Sequence, residues 1–173
     1  MRADLEPPLI VQAESDADYR TARELFREYA DRLGVDLCFQ GFSAELETLD
    51  TMYAPPSGCL LLASFENAPV GCVGVRRLSA TLCEMKRLYV RDSVRGRGCG
   101  RRLAVEIVGR ARRLGYERMV LDTLEPMVQA RRLYMSLGFR DCAPYYPNPL
   151  PGVRYLELQL QSSDAARAAL PRE

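Results

Sequence analysis

The chain has 173 residues, 47% of them apolar, with 24 Lys/Arg against 23 Asp/Glu and no histidine. That length and apolar share suit one domain with a substantial core. The missing histidine excludes a Ser-His-Asp triad, a Cys-His pair and any histidine-ligated metal, so proton transfer falls to carboxylate, tyrosine, cysteine, lysine or water. No run of eighteen apolar residues is present, and the N-terminus, Met-Arg-Ala-Asp-Leu-Glu, is acidic rather than a leader. Six cysteines are scattered without Cys-x-x-Cys spacing, as expected of reduced thiols in a cytoplasmic protein.

In chain order, residues 9–13 read as a short strand. Ser15 or Asp16 caps a helix whose apolar positions Ala22, Leu25, Phe26, Tyr29 and Leu33 recur at three and four, ending at Gly34. Residues 35–42 connect to a short helix with Ser43 as its cap, and Pro55-Pro56-Ser57-Gly58 makes a turn. Strands at 59–65 and 70–78 form a hairpin through Glu66-Asn67-Ala68-Pro69, and 82–90 pairs next. A helix over 102–114 places Leu103, Ala104, Ile107, Val108, Ala111 and Leu114 inward. It leads to a strand at 118–122, and a crossover helix between two strands makes them parallel. Pro126 suits the first turn of a further helix stopped by Gly138, and 140–145 with 153–160 close the sheet as a second hairpin. Residues 1–8 read as an extension, 9–160 as the domain, and 161–173 as an Ala/Arg-rich tail, a frayed helix or disorder.

Between strand 82–90 and the following helix lies Arg95-Gly96-Arg97-Gly98-Cys99-Gly100-Arg101. A strand, a glycine-rich turn and a helix N-terminus in that order form an anion cradle, because the turn's N–H groups and the helix's unpaired donors face one spot. A Walker loop needs Gly-Lys-Ser/Thr where Gly100-Arg101-Arg102 stands, and the dinucleotide fingerprint needs glycine where Arg101 stands. Arg-x-x-Gly-x-Gly, as Arg95, Gly98 and Gly100, remains.

Charge is unevenly spread. Residues 76–118 hold thirteen Lys/Arg against four Asp/Glu, and residues 1–50 hold five against twelve. The basic block could serve nucleic acid, but several of its arginines fall opposite an apolar helix stripe, and those at the loop can draw in a phosphorylated ligand. The acidic first third either favours a cationic partner or is a solvated face.

Residues 84–139 resemble the GNAT N-acetyltransferase family, in which Arg/Gln-x-x-Gly-x-Gly/Ala binds the pyrophosphate of acetyl-CoA. The resemblance runs through Arg87-Leu88-Tyr89-Val90, the loop, and Ala130-x-x-Leu133-Tyr134-x-x-x-Gly138-Phe139, the second signature of that family. It implies an α/β (α+β) fold, a mixed sheet of about six to seven strands with a splayed parallel pair and about four flanking helices. It implies an acetyl-CoA-dependent N-acetyltransferase, with acetyl-CoA as cosubstrate and no metal. The pyrophosphate then falls to Arg95, Gly96, Arg97, Gly98, Cys99, Gly100 and Arg101, and the pantetheine arm to main-chain groups of Leu88, Tyr89 and Val90, as an added strand. The partners implied are acetyl-CoA and an amine, without nucleic acid or membrane; a homodimer stays open.

The chemistry is aminolysis of a thioester. A lysine-like amine, pKa about 10.4, must lose a proton before it attacks. Glu84, eleven residues before Arg95, stands where several relatives carry a catalytic glutamate. Strand alternation puts Glu84, Lys86, Leu88 and Val90 on one face, so Glu84 is either the base or half of a structural ion pair. Tyr134 holds the position of the family's tyrosine that protonates the departing thiolate; a core aromatic on the stripe Ala130, Leu133, Tyr134, Leu137 is the other reading. A main-chain N–H near Tyr89 or Val90 serves the oxyanion. Met127 departs from the pattern, standing where many relatives have a cofactor-contacting asparagine, with Asp122 and Thr123 nearby as substitutes. By resemblance the acceptor side is built by residues 36–42 and 145–152, the second of which could equally be a rigid turn. The acceptor is expected to be a small amine or amino acid, with a peptide acceptor or a non-catalytic acyl-CoA sensor as alternatives.

Overall fold

A computed structural model describes residues 7–161; the expected 161–173 tail beyond its first residue and most of the 1–8 extension lie outside them. A single seven-stranded sheet has the order β1-β2-β3-β4-β5-β7-β6. Its strands are β1 (Leu9–Gln12), β2 (Cys59–Phe65), β3 (Ala68–Arg77), β4 (Leu82–Val90), β5 (Arg118–Leu124), β6 (Arg140–Asp141) and β7 (Val153–Gln159). Five α-helices occur among the described residues: α1 (Asp16–Leu33), α2 (Phe42–Glu47), α3 (Leu49–Met52), α4 (Cys99–Arg113) and α5 (Val128–Ser136). The expected single helix after residue 42 is thus two short ones. None of the described helices is long and apolar enough to cross a membrane.

Local chemistry explains the elements. Ser15 caps α1 in a capping box: its Oγ accepts from Asp18 N–H at 3.2 Å, and Asp18 Oδ2 accepts from Ser15 N–H at 2.9 Å. Gly34, at φ 66°, ends the helix. Glu66 and Asn67 both have positive φ, which lets a two-residue turn join β2 to β3 with Phe65 opposite Ala68. Three expectations are corrected. Gly41, not Ser43, precedes the first residue of α2, and no side chain caps it. Pro126 sits ahead of the Met127 cap rather than inside the first turn of α5. The strand expected at 140–145 is the two-residue β6, because the proline-bearing segment beyond leaves the ladder.

Two buried clusters sandwich the sheet. Leu103, Ile107 and Ala111 of α4, with Tyr134 of α5, pack on one face; Ala22, Leu25 and Phe26 of α1, with Leu49 and Tyr53, pack on the other. β4 changes phase between them. Its pairing with β3 shifts register between Cys72 and Gly74, and Arg87 sits there at φ 59°. For a residue with a side chain that backbone costs about 1–3 kcal/mol. The bulge adds a residue, so Cys83 and Met85, then Leu88 and Val90, pack on the α4 face, while Tyr89 packs with α1. Glu84 and Lys86 therefore do not share a face with Leu88 and Val90, contrary to simple alternation.

β4 and β5 run parallel and pair over Leu82–Arg118, Cys83–Met119 and Glu84–Val120. Beyond these pairs β4 stays with β3 as far as Val90, and β5 stays with β7 as far as Leu124. The two central strands part company after Glu84, and the gap between them opens toward the glycine-rich turn.

Candidate active site

The turn at the end of β4 is built to leave donors free. Gly96 and Gly98 have φ of 76° and 75°, and Gly98 precedes α4 without a side-chain cap. The first backbone bond of α4 runs from Arg102 N–H to Gly98 O at 3.0 Å, so the N–H groups of Cys99, Gly100 and Arg101 have no partner within the helix. A Cβ at Gly96 or Gly98 would meet nothing within 4 Å, so backbone conformation selects glycine there. The loop arginines rest on neighbours: Arg95 pairs with Asp92 at 2.9 Å, Arg97 lies 5.1 Å from the Phe65 ring centroid, and Arg101 donates to Ser136 Oγ at 2.8 Å. The Cys99 side chain is buried, and burial pushes its thiol up, which leaves its main chain for a ligand.

Between the parted strands lies a cavity of about 40 Å³, walled by Lys86, Arg87 and Leu88 of β4, Asp122 and Thr123 of β5, and Tyr134 of α5, among others. Tyr134, 7% exposed, packs edge-on to Phe139 with ring centroids 5.7 Å apart. Burial, then the charges of Tyr29 and Asp122, pushes its phenol well above its ordinary value. Core packing and a place on the cleft wall coexist in this residue. Met127 also lines the cleft, and Thr123 Oγ1 lies 3.7 Å from its sulfur.

At the far end of the gap polar groups converge. Lys86 Nζ lies 3.5 Å from Asp122 Oδ1, 3.5 Å from Glu84 Oε1 and 3.2 Å from Gln40 Oε1. Asp122 Oδ2 accepts from the Tyr146 hydroxyl at 2.7 Å, from Asn148 Nδ2 at 3.1 Å and from Gln40 Nε2 at 3.3 Å. Glu84, 1% exposed, accepts from Arg76 Nε and from the Tyr145 hydroxyl, both at 2.7 Å. Burial pushes both tyrosine hydroxyls far up, followed by the charges of Glu84 and Asp122 for Tyr145 and by that of Asp122 for Tyr146. The two segments expected on the acceptor side, 36–42 and 145–152, thus meet through Gln40, Tyr146 and Asn148.

The sites expected from sequence are therefore gathered around one cleft but not all on its wall. Leu88 and Tyr134 line it; Glu84 sits behind Lys86, held by three partners. Tyr89 turns its side chain toward α1, donating to Glu28 at 3.3 Å. Arg91 N–H donates to Val70 O, and alternation along β4 sends the main-chain groups of Tyr89 to the same side and those of Leu88 and Val90 to the gap. From sequence Asp122 stood only as a substitute for the missing asparagine and Lys86 only as an ion-pair partner of Glu84, and neither they nor the Arg87 side chain were expected on the cleft wall; the signal for Asp122 was a carboxylate at the C-terminal end of a parallel strand, the usual ligand end. Among the described residues no cluster of metal-ligating side chains occurs.

A parted parallel pair, an uncapped glycine-led helix N-terminus beside it and a tyrosine on the wall define an acyl-CoA-dependent transferase. The family model for the acetyltransferase (GNAT) family matches residues 19–139, and the chain belongs to that family. An uncharacterized N-acetyltransferase of Schizosaccharomyces pombe is 44% identical over 138 residues, 79% of this chain and 85% of the relative. The N-acetylaspartate synthetase of Danio rerio is 27% identical over 139 residues, 79% of this chain and 46% of the relative. The solved structure of a Salmonella typhimurium acetyltransferase with its cofactor acetyl-CoA superposes with a TM-score of 0.66 at 20% identity, covering 96% of this chain and 99% of that one. The protein is an acetyl-CoA-dependent N-acetyltransferase. The free donors of the turn and the open edge of β4 fit that cosubstrate.

Proposed function

We propose that the chain acetylates the primary amine of a small molecule, of amino-acid or polyamine-like size, rather than a protein. The observation that carries this is the cover over the acceptor end. Tyr145, Tyr146 and Asn148 bond down onto Glu84 and Asp122, which encloses the cleft where a polypeptide needs an open groove. Similarity to a synthetase of N-acetylaspartate supports an acceptor of that size.

In this reading the N–H groups of residues 96–101 hold the pyrophosphate, helped by Arg95, Arg97 and Arg101 once they leave their resting partners. The open edge of β4, at Leu88 and Val90 with Tyr89 between them, holds the pantetheine amides as an added strand. Asp122, on the cleft wall, receives the acceptor ammonium. Glu84 takes the proton through an intervening water, its charge kept in place by Arg76 and Lys86. Tyr134, held neutral by burial, gives its proton to the departing thiolate.

A screen of small amines, amino acids and peptides, read by release of free CoA thiol, tests the proposal. Turnover with a small amine is expected. Labelled acetyl-CoA in a lysate that marks only proteins would contradict it, and acetyl-CoA binding without thiol release from any amine would reduce the protein to a sensor.

A further inference from the structure

We infer that Arg87, clamped by Glu45, is a positioning residue that aims the Leu88 N–H at the acetyl carbonyl; this rests on the cofactor site proposed above. Arg87 holds a left-handed backbone in mid-strand, at φ 59°, where glycine is the unstrained choice. Something must hold it there, and the side chain shows what does. Its Nη2 and Nε donate to Glu45 Oε2 and Oε1 at 2.6 and 3.1 Å, and both residues are buried. The guanidinium carbon lies 5.1 Å from the Phe42 ring centroid and 5.6 Å from that of Tyr29. Glu45 is itself fixed by the Tyr53 hydroxyl at 2.6 Å. The outcome is a rigid link from α2 and α3 to the one residue of β4 that is out of phase with the strand.

The orientation of the next peptide follows. Arg87 C=O lies 3.5 Å from Cys72 Sγ on β3, accepting the thiol proton. In a trans peptide the N–H points opposite to the C=O, so the Leu88 N–H faces away from β3 into the gap. Leu88 lines that gap, as does Tyr134 on the other wall. A main-chain donor fixed before the reaction needs no rearrangement as charge grows on the carbonyl oxygen. Glu45 and Arg87 do not touch the reacting atoms in this account; they act through the peptide they hold.

Isotope-edited infrared spectroscopy of acetyl-CoA labelled with ¹³C at the carbonyl, bound to the full chain, tests this without any acceptor. A donor aimed at the carbonyl lowers its stretching frequency below that of free acetyl-CoA. The wild type should show that downshift. Arg87→Lys and Glu45→Gln should lose it while still binding CoA, as measured by calorimetric titration. If either substitution prevents folding, Tyr53→Phe, which removes one hydrogen bond to Glu45 and keeps the ion pair, should lose part of the shift. An undiminished shift in folded variants would overturn the inference, as would a wild type that binds acetyl-CoA without any shift. A wild type that binds no CoA at all would overturn the cofactor site itself, so the two failures are told apart.

Discussion

Lys86 Nζ lies 3.5 Å from Asp122 Oδ1, across the gap and two residues beyond the last β4–β5 pair, Glu84–Val120. One ammonium spans two strands whose ladder has already ended. Because its contacts are long and shared with Glu84 and Gln40, this bridge can be exchanged for a substrate group at low cost.

Asp122→Asn tests that exchange. Losing the carboxylate that receives the ammonium should lower kcat/KM for the amine by about 10²-fold, near the low end for removing one partner of a desolvated charge pair. Acetyl-CoA affinity should hold, since the cradle lies at the end of β4 and not at the bridge. Steady-state kinetics beside acetyl-CoA titration check both halves; a matching fall in acetyl-CoA affinity would place Asp122 elsewhere in the mechanism.

Tyr134→Phe should slow turnover by about 10²-fold and not abolish it, because a thiol of pKa about 8.5 makes thiolate a tolerable leaving group. The pH profile carries a second expectation. A general acid works while protonated, and burial raises the Tyr134 phenol above its ordinary value. Wild-type kcat should therefore show no alkaline fall assignable to this group up to about pH 10, the usual tyrosine value.

The glycine turn makes a prediction of rank. Gly98 has φ 75° with open space around its Cα, so substitution is penalised by backbone conformation rather than by collision. Asparagine, which tolerates that region, should weaken acetyl-CoA binding less than valine, which does not. Equal losses for Gly98→Asn and Gly98→Val in a binding titration would mean that space, not φ, sets the requirement.

Stability should respond to acid through Glu45. Burial alone would raise its carboxyl, but the paired Arg87 outweighs this and holds it below the usual range. A group depressed in the folded state stabilises above its unfolded value, about 4.3, and that contribution is lost as pH falls through the folded value. Thermal melts of the wild type should thus fall steeply below about pH 4. Glu45→Gln should start about 3–5 kcal/mol less stable, as expected for a buried pair with one partner removed, and lose less on acidification. Parallel pH slopes for the two proteins would contradict the assignment.

Most of the fold was legible because periodicity and turn chemistry are local. Ala22, Leu25 and Phe26 mark the buried stripe of α1, and Ser15 and Gly34 mark its ends. The parallel β4–β5 pair follows from α4 lying between them in sequence. What escaped depends on a single backbone angle. Nothing local announces that Arg87 leaves the strand region, yet that step moves Leu88 and Val90 to the opposite face from Glu84 and Lys86. The acceptor end was legible as two segments but not as a network, since the bonds from Gln40 to Asp122 and Tyr146 span 82 and 106 residues. Burial of Glu84 behind Lys86 is likewise tertiary, set by the partners Arg76 and Tyr145.

The most direct test of the central claim is thiol release from acetyl-CoA by the purified wild-type chain, measured side by side with a panel of free amino acids and small amines and with a panel of peptides. Saturable release is expected with at least one small amine, none with the peptides, and a strong loss of that release in Tyr134→Phe and Asp122→Asn. Release that requires a peptide acceptor, or that is unchanged in both variants, would contradict that claim.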